Sequence, residues 1–544
     1  VDNDDTAVAL PNNVEQFFPL PQIRPKQAKC LDFIHRMLSR GVTDIVISAP
    51  TGFGKSAVAA AVGFWAAQPG FQLPGDPGAY LLCTQKMLQD QYEGDILRYA
   101  PHLRSAVSLK TASEYECKQH GNCGAGLAHK PICRAVKDKN CTYIRQKAAF
   151  LRASVAITNY PFFFTERVYQ ESFPSRKLLA LDECHSLESQ LFKFIELVVG
   201  PKEVEKFTPT LGQVPAMKGL AEFGAWLDLK FCPTLKARLD AFDPNHLTPA
   251  RAKEKQEIEQ QLSKALRAIE EFEADRSNWI FWQEQEPSTV GPVYTAIAKP
   301  LSAARYFNDL IRDTSHARIY LSAYPGTKGV FCRTIGLDPT RVAVLTLGAI
   351  FPKENRPIHA TLLGSMSRKN QADTMPSLLR FLAKLLEVHN TEKGIWHGHS
   401  YALCELVFAY FKTSPHSHRI LFPRCADERA DVYEKHRNAK IPTVILSPSF
   451  TEGFDFIDEN ARWQVILKTP FPFLGDKQVL AKKDADPEWY AFKTVSTIIQ
   501  ACGRIVRTET DTGTTYIVDR DFEFLYDKWN HLFPSWWQEA LVTH

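Results

Sequence analysis

Short apolar runs, each closing on small or polar residues, recur along the first part of the chain. They are DIVISAP from Asp44, AYLLCT from Ala79, SVAITN from Ser154, KLLALDE from Lys177 and ARIYLSA from Ala317. TVILSPS from Thr443 and QVILKTP from Gln464 continue the series. All are rich in β-branched and aliphatic residues, and most give way to a helical pattern. Continuous apolar character over so few residues suits strands buried on both faces. The alternation of strand and helix predicts an α/β fold, with parallel sheets covered by helices.

Residues 190–300 follow another pattern. RAKEKQEIEQQLSKALRAIEEFEADRSNW, from Arg251, is rich in helix formers with apolar residues at helical spacing. This region reads as a helical insertion between two strands of one α/β domain. GLDPTRVAVLTLGAIFPKENRP, from Gly336, has the proline and polar content of a connection, and a second α/β domain follows it. There is no internal repeat and no low-complexity tract.

With 544 residues the chain exceeds what one hydrophobic core organises, and two to four domains are expected. The formal net charge is only +4, so affinity for a polyanion has to come from local patches. No apolar run reaches membrane-spanning length, and VDNDDTAVAL at the start lacks a secretory pattern. Of twelve cysteines, eight (Cys30, Cys83, Cys184, Cys232, Cys332, Cys404, Cys425, Cys502) are scattered singly. Most have apolar neighbours, as reduced, buried thiols of a non-secreted protein do.

Three segments carry chemistry. ISAPTGFGKSAVAAAV passes from a strand through a glycine-rich turn into strong helix formers. Residues 49–56 fit G-x-x-x-x-G-K-[ST], except that Ala49 replaces the first glycine. In such a loop Thr51, Gly52 and Gly54 bring backbone N–H groups around phosphate oxygens, Lys55 reaches the outer phosphates and Ser56 holds Mg²⁺. A phosphate-bearing ligand with Mg²⁺ is therefore expected. LLALDECHSLE supplies an apolar strand ending in two acids, with Asp182 for the metal and Glu183 to polarise the attacking water. STIIQACGRIVRTETDTG, from Ser496, is read as a helix with Gln500, Gly503, Arg504 and Arg507 near one face. Its arginines suit charge developing on a transferring phosphoryl group.

CKQHGNCGAGLAHKPICRAVKDKNC gathers Cys117, Cys123, Cys133 and Cys141 in a stretch too polar to be core. It lacks the short C-x₂₋₄-C knuckle usual for structural zinc, while iron–sulfur sites tolerate varied spacing. His120 and His129 keep a mixed-ligand zinc site open, and spacing alone leaves zinc and iron–sulfur level. Lys118, Lys130, Arg134, Lys137 and Lys139 make the loop basic, and Arg145 and Lys147 follow it. Such a run is commonly a solvated face, and beside a nucleic-acid channel it contacts phosphates.

As an ordered set, APTGFGKS, DECH, LSAYPG (from Leu321), SFTEGFDF (from Ser449) and QACGRIVR resemble the motifs of superfamily 2 helicases. FPLPQIRPKQ, CTQKMLQDQY, the four cysteines before DECH, CTYIRQKAAFLRASVAITNYPFFF and GTTYIVDRDF make the resemblance one to the XPD/DinG iron–sulfur helicases. It covers most of the chain and implies two RecA-like motor domains with ATP between them. An iron–sulfur domain and a helical arch are then inserted in the first motor domain. The implied division is 1–110, 151–190 and 296–345 for the first motor domain, 111–150 for the cluster, 191–295 for the arch and 346–544 for the second motor domain.

The resemblance tips the four cysteines towards a 4Fe–4S cluster. It assigns Arg24 and Gln27 to adenine recognition, and Ser322 and Ala323 to coupling. Glu452, Gly453 and Asp455 go to the inter-domain cleft, and Arg504 and Arg507 serve as arginine fingers. Cys184 stands where the family more often has alanine, and Tyr324 where it has threonine. The implied activity is 5′-to-3′ translocation on single-stranded DNA with unwinding of forked or tailed duplexes. A monomer without membrane attachment is implied, in the cytoplasm with the nucleoid or in the nucleus. The alternatives are a translocase that remodels complexes without unwinding, a nucleic-acid scaffold with a vestigial ATP site, and a nuclease fusion, for which the N-terminal stretch is too short.

Overall fold

Strand Asp44–Ser48, with all five residues buried, sits second from the edge of a seven-stranded sheet. In spatial order the strands are Val342–Thr346, Asp44–Ser48, Ser315–Ser322, Arg176–Asp182, Asp76–Cys83, Val155–Asn159 and Ala106–Ser108. Every pairing is parallel. Ile45 and Ile47 pack into one apolar cluster and Val46 into the one on the opposite face. Both faces of the strand are thus core, which is why its sequence does not alternate with polar residues. Ser48, Ser322 and Asp182 end three neighbouring strands, so their side chains meet at the carboxyl edge of the sheet, the usual place for a ligand in such folds.

This computed structural model describes residues 10–11, 13–99, 105–117, 121–122, 141–170, 172–243, 248–287, 291–448, 454, 456, 458–506, 508 and 510–542. A second parallel sheet runs Ile420–Leu421, Val444–Ser447, Gly394–His397, Trp463–Ile466, Thr514–Asp519, Ile358–Gly364 and Leu541–Val542. The chain is therefore α/β with two parallel-sheet domains. Among the described residues, no helix is long and apolar enough to cross a membrane.

Between the neighbouring strands Arg176–Asp182 and Ser315–Ser322 the chain leaves the first sheet. This insertion holds helices Leu220–Trp226, Cys232–Asp240 and Pro249–Ala274. It is not purely helical, as its sequence suggested. Leu197–Val199, Val293–Pro300 and Trp279–Glu286 form a three-stranded antiparallel sheet. WIFWQEQE buries Trp279 and Trp282 while its end stays exposed, a half-buried pattern overshadowed by the long helix before it.

The proline-containing segment 336–357, whose sequence suggests a connection, contributes a strand to the first sheet. Val342–Thr346 is an edge strand parallel to Asp44–Ser48. With one neighbour only, it is mostly half-buried and its apolar signal is weaker. Six of the eight scattered cysteines are buried, whereas Cys502 is half-buried and Cys425 exposed.

Of the cysteine cluster, Cys117 lies on a two-residue strand, Glu116–Cys117, paired with Gly121–Asn122. Cys141, half-buried, caps helix Thr142–Arg152. Cys123, Cys133, both histidines and the five basic residues between the outer cysteines lie outside the described residues. Among the described residues no group of three or more metal-ligating side chains is gathered. Lys147 is not a free cation for phosphate, because it pairs with buried Glu166 at 2.7 Å. Arg145 is exposed.

Candidate nucleotide site between the two sheets

The turn after Asp44–Ser48 enters helix Lys55–Ala66 through Gly52 (φ 79°) and Gly54 (φ 84°). These left-handed conformations favour glycine, and a Cβ on Gly54 would lie 2.8 Å from Gln27 Nε2. Two carbonyls of the turn are taken up from outside. Gln27 Nε2 donates to Phe53 O at 2.7 Å and Arg24 Nη1 to Gly52 O at 3.0 Å. Gln27 Oε1 in turn accepts the Arg24 backbone N–H at 2.8 Å. Arg24 and Gln27 thus brace the phosphate loop. Lys55 Nζ folds back to 3.5 Å from Ala49 O, and Ser56 is half-buried behind it.

Asp182 closes the strand opposite this loop. Its Oδ2 accepts the Tyr92 hydroxyl, its Oδ1 is buried with no hydrogen-bond partner, and the Tyr160 hydroxyl donates to its backbone oxygen at 2.8 Å. Burial and the neighbouring Glu183 push its carboxyl up to about 6, against the pull of Lys55. An orphaned carboxylate oxygen beside a phosphate loop is donor chemistry that suits a hard cation such as Mg²⁺.

Glu183 has φ 49°, a conformation that costs a non-glycine residue energy and is often stored at functional sites. Burial acts to raise its carboxyl, but Lys55, His185 and Arg504 together outweigh it and hold Glu183 below the usual carboxylate range. His185 Nδ1 lies 3.2 Å from Glu183 Oε2 and 3.0 Å from Ser322 Oγ. Ser322 Oγ also accepts the Tyr324 backbone N–H at 3.2 Å. The DECH turn is thereby tied to LSAYPG. Cys184 is buried in the apolar core.

The second sheet's domain contributes helix Pro487–Cys502. It ends before Gly503, so Arg504 does not share a helical face with Gln500, contrary to the sequence expectation. Gly503 N–H still donates to Ile499 O at 3.0 Å, and the chain then turns away. Gly503 approaches the phosphate loop closely: a Cβ there would lie 2.8 Å from Thr51 Oγ1.

Gln500 is buried, and its Nε2 has no hydrogen-bond partner. Arg504, also buried, donates from Nη1 to Phe454 O at 3.0 Å, and its charge reaches Glu183. A cleft lies between Pro50 and Thr51 on one side and Cys502, Gly503 and Val506 on the other. Arg507, Glu452, Gly453 and Asp455 lie outside the described residues.

The site therefore joins a phosphate loop, a carboxylate pair and a buried arginine from two domains. Residues 382–540 match the family model described as the helicase C-terminal domain. A probable ATP-dependent helicase of Methanocaldococcus jannaschii is 21% identical, over 94% of this chain and 93% of that one. Two solved structures share the fold. One titled as an XPD helicase has a TM-score of 0.63, with 16% identity over 94% of this chain and 98% of that one. Xpd4 of S. tokodaii has a TM-score of 0.56, with 14% identity over 95% and 99%.

The chain shares its fold with XPD helicase structures and is similar to a probable ATP-dependent helicase over most of its length. Its two parallel sheets match the two RecA-like domains of those structures. A homolog of regulator of telomere elongation helicase 1 from Aedes aegypti is 32% identical over 107 residues. That match spans 17% of this chain and only 10% of the relative's length.

Sequence reading singled out neither Tyr92 nor His185 as site residues, although CTQKMLQDQY and DECH contain them. Tyr324 also gains a role that the family pattern does not suggest. Its buried hydroxyl donates across the domain boundary to Leu532 O.

Proposed function

We propose that the protein is a DNA helicase that couples Mg-ATP hydrolysis to 5′-to-3′ movement along single-stranded DNA and unwinds forked or tailed duplexes. The observation that carries this reading is the meeting of Thr51 with Gly503, beside Asp182, Glu183 and Arg504. ATP held there touches both domains, so hydrolysis changes what holds them together. Lys55 takes the outer phosphates, and Ser56 and Asp182 would hold Mg²⁺, whose charge offsets that of the phosphates. Glu183, ionised under the charges of Lys55, His185 and Arg504, accepts hydrogen bonds from the attacking water and orients it. Gln500, Arg504 and Arg507 face the charge that develops on the transferred group.

Arg24 and Gln27 brace the loop, and Gln27 keeps one amide hydrogen and one lone pair for an adenine edge. Glu452, Gly453 and Asp455 complete the cleft, and Ser322 and Ala323 pass its state through His185. The intact Lys55, Asp182, Glu183 and Arg504 speak against a vestigial site.

Cys117, Cys123, Cys133 and Cys141 are proposed as thiolate ligands of a 4Fe–4S cluster. Such a cluster would fasten the polar loop to helix Thr142–Arg152, whose N-terminus Cys141 caps. A brown anaerobic preparation absorbing at roughly 400 nm supports this, while a colourless, zinc-containing one rejects it. We take the working form to be a monomer, in the cytoplasm or nucleus.

Unwinding of a forked duplex with a 5′ tail, compared with a 3′ tail, tests the function. ATP-dependent strand separation on the 5′-tailed substrate supports the helicase reading. ATP hydrolysis with protein displacement but no strand separation would make the enzyme a translocase.

A further inference from the structure

Glu188 follows Asp182 by six residues, in helix Leu187–Ile195, directly after the DECH turn. Its side chain is 1% exposed, and its three side-chain partners come from the other motor domain. Lys482 Nζ lies 2.6 Å from Oε1, while Lys493 Nζ lies 3.0 Å from Oε2. Trp489 Nε1 donates to Oε2 at 2.8 Å. Lys482 donates again to Leu301 O at 3.0 Å and stands 4.6 Å from the Trp489 ring and 5.0 Å from that of Phe192.

A buried carboxylate facing two ammonium groups costs heavy desolvation, which only good geometry and full hydrogen bonding offset. Arg333, paired with Asp486 and Glu488 nearby, is about half exposed, and pairs of that kind are screened and add little. Glu188 is thus more deeply buried than Arg333 or the Lys299–Asp476 pair, 19% and 24% exposed, which also crosses between the domains.

Trp489 and Lys493 belong to the first two turns of helix Pro487–Cys502. Sixteen residues make a rod of about 24 Å, most of its side chains buried. The far end brings Gln500 and Gly503 to the phosphate loop, with Arg504 immediately beyond. The helix is gripped at one end by a residue five positions from Glu183, and at the other it delivers the arginine whose charge acts on Glu183.

We propose that Glu188 is a positioning residue for the nucleotide cleft. By holding Lys482, Lys493 and Trp489, it sets the Pro487–Cys502 helix so that Arg504 reaches the Glu183 side of the cleft. This rests on the reading of that cleft as the site of ATP hydrolysis. It makes the DECH turn both the chemical centre and the anchor of the opposing domain.

The test is a double-mutant cycle on the full chain, reading kcat and KM for ATP with saturating single-stranded DNA. Glu188→Gln keeps the shape but leaves both lysines facing a neutral amide. It is expected to lower kcat about tenfold with KM changed less than about twofold. In an Arg504→Ala background the same change should cost less than about twofold, because residues acting as a unit are not additive. Wild-type kcat in Glu188→Gln, or the full loss repeated on top of Arg504→Ala, overturns the proposal. Should Glu188→Gln not fold, Trp489→Phe removes the indole donor alone. A loss of about threefold that vanishes in the Arg504→Ala background supports the clamp, and unchanged kcat overturns it. Wild-type kcat in Arg504→Ala would instead reject the underlying reading of the cleft.

Discussion

Gly503 stands against Thr51 with no room for a side chain: a Cβ would lie 2.8 Å from Thr51 Oγ1 and 3.1 Å from its Cγ2. The second domain thus meets the phosphate loop at a glycine. Gly503→Ala must part the two surfaces or strain the loop. Parting them is the easier course, because overpacking inside a fixed core costs about 1–3 kcal/mol. ATP hydrolysis is expected to fall at least about tenfold, a barrier increase of about 1.4 kcal/mol, while the thermal unfolding midpoint stays close to wild type. Wild-type hydrolysis would show that this contact is not part of the working state.

Tyr324 joins the domains by a different bond, donating its hydroxyl to Leu532 O from a buried position. Tyr324→Phe leaves a buried carbonyl without its partner, at a cost of about 1–3 kcal/mol. Urea unfolding should show a lower midpoint with little change in slope. An unchanged midpoint would mean that the carbonyl finds another donor.

The carboxylate pair predicts an acid limit to activity. Burial and Glu183 raise Asp182 to about 6, and the Tyr92 hydroxyl and Lys55 pull it down. Protonated Asp182 is a poor cation ligand, so the Mg²⁺ needed for half-maximal hydrolysis should rise as pH falls through about 6. Tyr92→Phe removes one of the lowering interactions. The acid limb of its pH–rate profile should therefore move to higher pH, and an unmoved limb would count against Asp182 as the titrating group.

Two histidines of the second domain tie its stability to pH. Burial holds both His397 and His436 down to about 4. In the unfolded chain each takes up a proton near its ordinary value of about 6.5. Between these values the unfolded state binds more protons, so stability is present above about 6.5 and is lost as pH falls towards 4. With both groups contributing fully, the slope reaches about 2.7 kcal/mol per pH unit. Urea midpoints measured at pH 7 and pH 5 should differ accordingly, and His436→Gln should flatten the difference.

The features legible in the sequence are the local ones. DIVISAP and KLLALDE read as buried strands because each is core on both faces, and the phosphate loop is contained in residues 49–56. The edge strand Val342–Thr346 and the small antiparallel sheet were obscured, since half-buried strands carry little apolar signal beside prolines or a long helix. The helix carrying Gln500 stops at Gly503, which packs against Thr51, hundreds of residues away. Tyr92 meets Asp182 across 90 residues, Tyr324 meets Leu532 across 208, and Glu188 meets Trp489 across 301. No spacing rule along one segment reaches such pairs.

The central claim is that Glu183, at the junction of the two motor domains, drives ATP hydrolysis. Glu183→Gln keeps the side chain's shape and removes its charge. The direct measurement is the steady-state rate of ATP hydrolysis by this variant with saturating single-stranded DNA. The account predicts loss of hydrolysis with ATP still bound. Hydrolysis at the wild-type rate would contradict it.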